Sequence, residues 1–335
     1  MDEFGLIEQF LAHATGRGED VVLGIGDDAA IVNLPASRQL AICTDTLVAG
    51  RHFLSATAPA DIGWKALAVN LSDLAAMGAE PRWFTLALTL PEADSAWLEA
   101  FARGLGQLAA QTGTSLVGGD TTRGPLAITI TAGGWLEPGC AIRRAGAKPG
   151  DLLCVTGSLG DAALALKRAQ EAADARSSES AAWLRQRLDR PSPRIEAGRA
   201  LAGLAHAAID ISDGLLADAG HLRLDGGQPG GIVIDTRALP RSDAFRALAP
   251  AEIATELQLT GGDDYELCLS LAPDDVAEAQ HRLADIALSL TVVGEVLAQP
   301  GLWLKDADGC HACDETRQHG FNHFLRKTEG KGDGG

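Results

Sequence analysis

Aspartates within two residues of glycine, serine or threonine recur along this sequence, at the predicted ends of strands and helices. They are Asp27, Asp28, Asp45, Asp73, Asp120, Asp210, Asp213 and Asp263. One such junction alone is equally well explained as a solvated turn, because Gly-Asp pairs are common in turns. Their number favours a cluster of carboxylates around hard cations. Magnesium suits such a cluster better than zinc, since it binds through a few carboxylates, water and substrate phosphates.

Residues 24–45, GIGDDAAIVNLPASRQLAICTD, give the most specific geometric expectation. Two alternating apolar runs flank a turn-like segment centred between Ala36 and Ser37, which predicts a β-hairpin. In that hairpin Asp28 would lie opposite Asp45, with Cβ atoms about 5 Å apart, an arrangement that is unfavourable for like charges. A bound cation would relieve the repulsion. The alternative is that Gly26-Asp27-Asp28 is an ordinary solvated turn.

A helix is predicted over residues 62–77, with Asp61 as its N-cap and Gly78 after its end. Its expected buried side consists of Trp64, Leu67, Leu71, Leu74 and Ala75, which recur at helical spacing. Asp73 falls in the last turn, where the helix dipole disfavours a carboxylate. A metal ion would offset that penalty, whereas the alternative is a solvated surface aspartate.

The remaining pattern alternates between strands and helices. Strands are predicted over 83–90, 114–117, 126–133, 152–156, 207–215, 265–271 and 290–296, and helices over 3–14, 93–111, 181–189, 194–206 and 273–286. Gly-Gly-Asp junctions precede Thr121 and Asp264, where backbone amides could approach a ligand closely. Turn chemistry at residues 148–151 predicts a boundary between two domains.

The composition indicates a globular protein of 335 residues, long enough for two domains, with 46% hydrophobic and 22% charged residues. A formal net charge of -17 argues against nucleic acid or an anionic membrane as the main partner. No membrane-spanning run and no basic signal-peptide start are present, so we expect a cytoplasmic location. The lone Cys310-x-x-Cys313 pair lacks a second ligand pair nearby, which argues against structural zinc.

Phosphoryl transfer is the chemistry most often built on clustered carboxylates and magnesium. The chain has no GxxxxGK[ST] loop and no protein-kinase signature set. Residues 24–29 superficially match a dinucleotide fingerprint, but a strand rather than a helix is expected to follow. Two aspartates would also face the pyrophosphate, so a nicotinamide enzyme is disfavoured.

Taken in order, these motifs resemble the thiamine-monophosphate kinases, within the superfamily of aminoimidazole ribonucleotide synthetase and selenophosphate synthetase. The resemblance rests on GIGDDAA, CTDTLVAGRHF, KALAVNLSDLAAMGAEP, LVGGDTT, RRAGAKPGD, DISDGL, TGGDDYEL and GFNHF. It implies an α/β (α+β) fold of two domains like that of aminoimidazole ribonucleotide synthetase. Residues 1–148 would bind ATP and metal and dimerise through their sheet, residues 149–326 would form the second domain, and residues 327–335 would be a disordered tail.

The resemblance also implies a reaction, the direct transfer of the γ-phosphoryl group of ATP to thiamine phosphate with several Mg²⁺ ions per site. It assigns metal binding to Asp28, Thr44, Asp45, Asp73, Asp120, Asp210 and Asp213, nucleotide binding to Gly119, Asp120, Arg144 and Ser212, and acceptor binding to His52, Asp263 and Phe321. The acceptor phosphate is itself the nucleophile, so no covalent catalytic residue is expected.

Two positions depart from the family pattern, since Cys43 stands where a serine is usual and Asp263 where a glutamate is usual. Taken without the resemblance, His52 would be a structural or surface histidine and Phe321 an ordinary core aromatic. Two other functions remain open. One is another ATP-dependent enzyme of the superfamily, of the amidine-forming or hydrogenase-maturation type, and the other is an acidic metal-stabilised binding module without turnover.

Overall fold

The computed structural model describes residues 7–25, 29–171 and 178–313. The predictions for Asp27, Asp28, Phe321 and the tail 327–335 lie outside these residues. Of the helix predicted over 3–14, the described part contains one π-helical turn, Ile7–Leu11.

The N-terminal half is built on a four-stranded sheet that is covered on one face by two long helices. Its elements are β1 (Val21–Leu23), β2 (Ile31–Val32), β3 (Gln39–Val48), α1 (Pro59–Ala76), β4 (Glu80–Leu90), α2 (Ser95–Thr112), β5 (Ser115–Arg123) and β6 (Ala127–Leu136). The strand order is β3-β6-β4-β5, with β4 and β5 parallel and the other pairs antiparallel. The two edge strands of this sheet are therefore β3 and β5.

The predicted hairpin between residues 31–34 and 40–44 is wrong. β2 pairs with β1 instead, and β3 pairs along its whole length with β6, which lies far along the chain. Asp45 consequently has Ile130 as its cross-strand neighbour. The Pro35–Arg38 turn reverses the chain, but the segments before and after it do not pair with each other. β3 instead pairs with β6 over ten residues, whereas β2 is only two residues long.

Helix α1 is buried on almost every side. It begins at Pro59, a residue that suits the first helical position, so Asp61 lies in the first turn and is not the N-cap. Its buried residues include the predicted Leu67, Leu71, Leu74 and Ala75, but also the polar Lys65, Asn70 and Ser72. The sheet, α2 and the C-terminal half enclose it, which a one-sided amphipathic pattern does not anticipate.

The C-terminal half contains a seven-stranded sheet. Its elements are β7 (Ala145–Ala147), β8 (Leu152–Thr156), α3 (Asp161–Gln170), α4 (Glu179–Asp189), α5 (Ile195–Leu201), β9 (Ala207–Asp210), α6 (Leu215–Ala219), β10 (Arg223–Leu224), β11 (Gly231–Asp235), α7 (Asp243–Leu248), α8 (Ala251–Thr260), β12 (Leu267–Leu271), α9 (Val276–Ala284), β13 (Leu290–Leu297), β14 (Gly301–Lys305) and β15 (Cys310–Ala312). The order is β15-β14-β11-β13-β8-β12-β9, and β7 pairs separately with β10.

The strand predicted over 152–156 has the bounds of β8. The strand predicted over 207–215 ends at Asp210, because Gly214 (φ +114°) turns the chain into α6. The helix predicted over 194–206 ends at Leu201, and the one predicted over 273–286 begins with a 3₁₀ turn before α9.

The two halves pack closely where α5 crosses α1. A Cβ atom added at Gly198 would lie 1.8 Å from the carbonyl oxygen of Ala75, so only glycine permits this approach. Tyr265 from the C-terminal half belongs to the apolar core of the N-terminal half. The contact between the halves is therefore part of the core.

Substitution Gly198→Ala is expected to destabilise the protein by about 1 to 3 kcal/mol, because the added methyl group forces α5 away from α1. Urea unfolding measures the change. The control is Gly16→Ala, since a Cβ at Gly16 meets no heavy atom within 4 Å. Equal stability of the two variants would contradict the close approach.

Candidate functional site

A cavity of about 780 Å³ lies between the two halves and collects most of the sequence-predicted site residues. Among those predicted residues, its lining includes Thr44, Asp45, His52, Asp73, Asp210, Ser212, Asp213 and Asp263. They come from β3, the loop after it, the end of α1, the end of β9 and the segment after α8. The cavity is within the size range of small-molecule sites.

Asp45 and Asp73 are positioned by helix α1 and its neighbour β3. The backbone N–H of Asp45 donates to Oδ1 of Asn70 at 3.1 Å, and Nδ2 of Asn70 donates to the Ala66 carbonyl at 3.1 Å. Asn70 is fully buried, so this bond fixes the strand against the helix. Asp73 lies in the last turn of α1, as predicted, because the helix ends at Ala76.

Asp210 and Asp213 are contributed by the C-terminal half. Asp210 ends β9, and its Oδ2 accepts a hydrogen bond from the Ser72 hydroxyl at 2.7 Å, which joins the two halves inside the core. Asp213 follows in a tight turn whose three consecutive amides, at residues 212–214, donate to Oδ2 of Asp218. Burial nevertheless raises the pKa of Asp218 to about 8, against the effect of those amide donors.

The cavity carboxylates interact electrostatically. Burial raises the pKa of Asp73 to about 7, and the charges of Asp210 and Asp45 add to the effect while Arg144 opposes it. Burial raises the pKa of Asp210 to about 6, with a further contribution from Asp45. The pKa of Asp45 is raised by burial and by Asp213. The four carboxylates therefore repel one another across one cavity.

Within the described ranges, no three acidic, histidine or cysteine side chains lie close enough together to form a complete metal-binding group. The donor set nevertheless fits Mg²⁺, which needs few protein ligands and completes its shell with water and phosphate oxygens. The crowded anions are an independent reason, since a cation would relieve their repulsion. Cys43 donates to the Asn70 carbonyl at 3.2 Å, and burial strongly raises the pKa of its thiol, so it offers no thiolate.

His52 and Asp263 line the cavity from opposite halves. Nδ1 of His52 accepts a hydrogen bond from the Val48 amide at 2.8 Å, so in the neutral ring Nε2 carries the proton. Oδ1 of Asp263 forms an ion pair with Nζ of Lys65 at 2.9 Å. His52 therefore presents a donor, and Asp263 is already partnered by a cation.

Gly119 and Asp120 do not lie at this cavity. They belong to β5, the edge strand opposite β3, and the register across the sheet aligns Asp120 with Ala87, Thr129 and then Thr46. Three strand spacings separate the two edges, roughly 14 Å. A Cβ at Gly119 would lie 1.8 Å from the Leu86 carbonyl oxygen, which explains this glycine by packing against β4. Arg144 is exposed and lies near Asp73 and Asp210, whose pKa values it lowers.

Sequence reasoning missed several residues that hold the site together. They are Lys65, Ser72, Asp218 and Tyr265. The available signal was a polar residue within the predicted helix, since Lys65 lies between Trp64 and Ala66 and Ser72 follows Leu71. Nothing local distinguishes Asp218 from a surface acid, because its partners are backbone amides.

Two further features of the sequence are the cysteine pair near its end and the question of a membrane span. Cys310 is exposed, whereas Cys313 is buried. Across the described residues, no helix is long and apolar enough to cross a membrane.

Two family models match the chain. The AIR synthase related protein N-terminal domain matches residues 26–136, and the AIR synthase related protein C-terminal domain matches residues 148–306. The thiamine-monophosphate kinase of Escherichia coli (strain K12) is 47% identical over 296 residues, covering 88% of this chain and 90% of that protein. The Haemophilus influenzae thiamine-monophosphate kinase is 42% identical over 328 residues, covering 97% and 98%.

Solved structures agree with this similarity. Thiamine-monophosphate kinase from Stenotrophomonas maltophilia K279a matches with a TM-score of 0.84 and 46% identity, covering 91% of this chain and 96% of that one. The AaThiL complex with AMPPCP and TMP matches with a TM-score of 0.72 and 31% identity, covering 90% and 93%. The hydrogenase maturation protein HypE, at 21% identity and a TM-score of 0.72, shares the fold alone. The chain belongs to the AIR synthase related family and, within it, to the thiamine-monophosphate kinases.

Proposed function

We propose that this protein is an ATP-dependent kinase that phosphorylates thiamine phosphate to thiamine diphosphate, the final step of thiamine diphosphate biosynthesis. The observation that carries the proposal is the convergence of carboxylates from both halves on one cavity, together with His52 and Asp263. The similar AaThiL protein forms a complex with AMPPCP and TMP. A cytoplasmic location is part of the proposal, as is a division of the chain into domains at 1–148 and 149–326 with a tail at 327–335.

Magnesium binding is proposed for Asp28, Thr44, Asp45, Asp73, Asp120, Asp210 and Asp213. Bound Mg²⁺ would neutralise the phosphates of both substrates and so permit their approach. The fold contributes rigidity, because Asn70 and Ser72 fix Asp45 and Asp210 relative to α1. Alignment and charge neutralisation are sufficient for this reaction, since a phosphate nucleophile needs no general base at neutral pH.

Substrate contacts are proposed on both sides of the cavity. ATP would be bound by Gly119, Asp120, Arg144 and Ser212, and the acceptor by His52, Asp263 and Phe321. His52 suits a phosphate or carbonyl oxygen, because its Nδ1 is already an acceptor for Val48 and its Nε2 is then a donor. The positive charge of Arg144, which already acts on Asp73 and Asp210, suits an incoming polyphosphate.

A homodimer would reconcile the positions of Asp45 and Asp120. Asp120 is exposed at the far edge of the sheet, in a row with Thr129 and Thr46 on the face that the helices leave uncovered. Five of the six exposed large hydrophobic side chains in the described part lie between residues 22 and 42, including Ile42 at 59% exposure. Packing of that face against a second copy would bury them and bring the partner's edge strand toward the cavity.

The decisive assay uses γ-labelled ATP and Mg²⁺. With thiamine phosphate we expect label in thiamine diphosphate, and without acceptor we expect no label on the protein, because no Ser, His or Cys in the sequence motifs has a nucleophile-base arrangement. ATP hydrolysis without acceptor phosphorylation would favour another ATP-dependent enzyme, and the absence of both would favour a binding module. Label on the chain that chases into product would contradict direct transfer.

Substitution Asp73→Asn should abolish turnover yet stabilise the metal-free protein at pH 8 by about 1 to 3 kcal/mol, since each pKa unit is worth 1.36 kcal/mol. The folded-state pKa of about 7 exceeds the ordinary value of 3.8. Ionisation of Asp73 therefore destabilises the folded protein as the pH rises from 3.8 to about 7. The stability gained by Asp73→Asn should accordingly vanish at pH 4. Thermal unfolding at both pH values measures it, with the exposed Asp225→Asn as control. Full activity of the variant at low Mg²⁺ would refute the metal assignment.

Substitution Ile42→Glu should convert the dimer into monomers, because it introduces charge into the uncovered sheet face. Sedimentation equilibrium measures the mass. Trp183→Glu is the matched control, since Trp183 is 48% exposed but lies on the other half. A wild-type monomer, or a variant that stays dimeric, would refute dimerisation through this sheet.

A further inference from the structure

A buried ion pair joins the two halves directly behind the cavity. Nζ of Lys65, on α1, lies 2.9 Å from Oδ1 of Asp263, which follows α8. The Lys65 side chain is only 3% exposed, whereas that of Asp263 is 28% exposed and lines the cavity. Lys65 does not line the cavity itself, so it acts on a ligand only through Asp263.

The backbone around Asp263 is fixed in a rarely populated conformation. Asp263 has φ +67° and Tyr265 has φ +50°, both in the left-handed region. The amide of Asp263 donates to the Ser212 carbonyl at 2.8 Å, and that of Tyr265 donates to the Ile211 carbonyl at 2.8 Å. These bonds hold the segment beside β9 and its aspartates, so the carboxylate has little freedom to move.

The two oxygens of the Asp263 carboxylate are in different situations. Oδ1 receives the Lys65 ammonium at 2.9 Å and the Tyr265 hydroxyl at 3.2 Å. Within the described part of the chain, Oδ2 has no hydrogen-bond partner. Because two donors fix Oδ1, the orientation of the whole carboxylate is set, and Oδ2 is the atom available to a molecule in the cavity.

The ion pair also changes what Asp263 can recognise. A carboxylate neutralised at 2.9 Å by a buried ammonium attracts a ligand cation much less than an isolated carboxylate does, since the two protein charges largely cancel at a distance. It remains a strong hydrogen-bond acceptor. Recognition of an N–H donor therefore suits Asp263 better than pairing with a cationic ring.

We propose that Lys65 is a positioning residue for acceptor specificity: it neutralises Asp263 and orients Oδ2 to accept a hydrogen bond from the exocyclic amino group of the aminopyrimidine ring. The inference rests on the proposed function, because thiamine phosphate is the molecule that carries this group. It assigns the cationic thiazolium ring to other parts of the cavity. It also explains how an aspartate can serve where the family usually has a glutamate. The ion pair with Lys65 holds the shorter side chain of Asp263 at a fixed distance from α1.

The test compares thiamine phosphate with an analogue in which a carbonyl oxygen replaces the exocyclic amino group. A site built around that hydrogen bond should reject the analogue by about 100-fold or more in kcat/KM. In Lys65→Met, which keeps the apolar stem and removes the charge, KM for thiamine phosphate should rise at least about ten-fold. The preference over the analogue should fall by a similar factor, and KM for ATP should stay within about two-fold.

A double-mutant cycle separates positioning from general damage. Asp263→Asn should lose the same preference, and adding Lys65→Met to it should change KM for thiamine phosphate little further, because the lysine reaches the cavity through that carboxylate. The double variant also removes both charges of the ion pair, so it keeps the test available if Lys65→Met alone folds poorly. Lys305→Met is the control, since Lys305 is 54% exposed and lies 3.8 Å from its partner Asp235.

The outcomes are distinguishable. A folded Lys65→Met variant with unchanged KM and unchanged preference overturns the inference, and so does an equal rise in KM for ATP and thiamine phosphate, which indicates a structural role only. Wild-type protein that does not phosphorylate thiamine phosphate overturns the proposed function and the inference with it. Wild-type turnover with no preference over the analogue overturns the inference alone.

Discussion

Mutual repulsion among four carboxylates is the constraint on which the arrangement of this molecule depends. Asp45, Asp73, Asp210 and Asp213 share one cavity, and the raised pKa values of Asp45, Asp73 and Asp210 express the cost of burying these carboxylates near one another. Left to themselves, such side chains would separate into solvent. They stay together because each is attached to an element whose position is set by buried contacts elsewhere.

Helix α1 is the element that supplies most of those contacts. Three of its polar residues are buried, and each contacts a different partner: Asn70 contacts β3, Ser72 contacts Asp210, and Lys65 contacts Asp263. A buried polar group that lost its partner would cost about 1 to 3 kcal/mol. The same helix packs against the sheet and α2 through its apolar residues, so the core of the N-terminal half and the geometry of the site are fixed together.

The sequence allowed prediction of the residues that form the site but not of how they meet. Asp45, Asp73, Asp210 and Asp213 were identified from their neighbours, and the end of α1 followed from helical spacing and Gly78. The hairpin failed because a local turn signal competed with a long pairing to β6, which no local pattern reveals. The separation of Asp120 from Asp45 depends on strand order, and the Lys65 ion pair depends on a left-handed backbone conformation at Asp263. Both are decided by residues distant in the chain.

The contacts across α1 have a consequence for how ligands enter and leave. The Ser72–Asp210 hydrogen bond, the Lys65–Asp263 ion pair and the approach of Gly198 to Ala75 all cross between the halves, and all are buried or tightly packed. A hinge motion that opened the cavity would have to break them together. Arg51, in the loop after β3, is exposed and lines the cavity. Rotation of one half against the other is therefore costly, whereas a movement of the loop after β3 would break none of these three contacts.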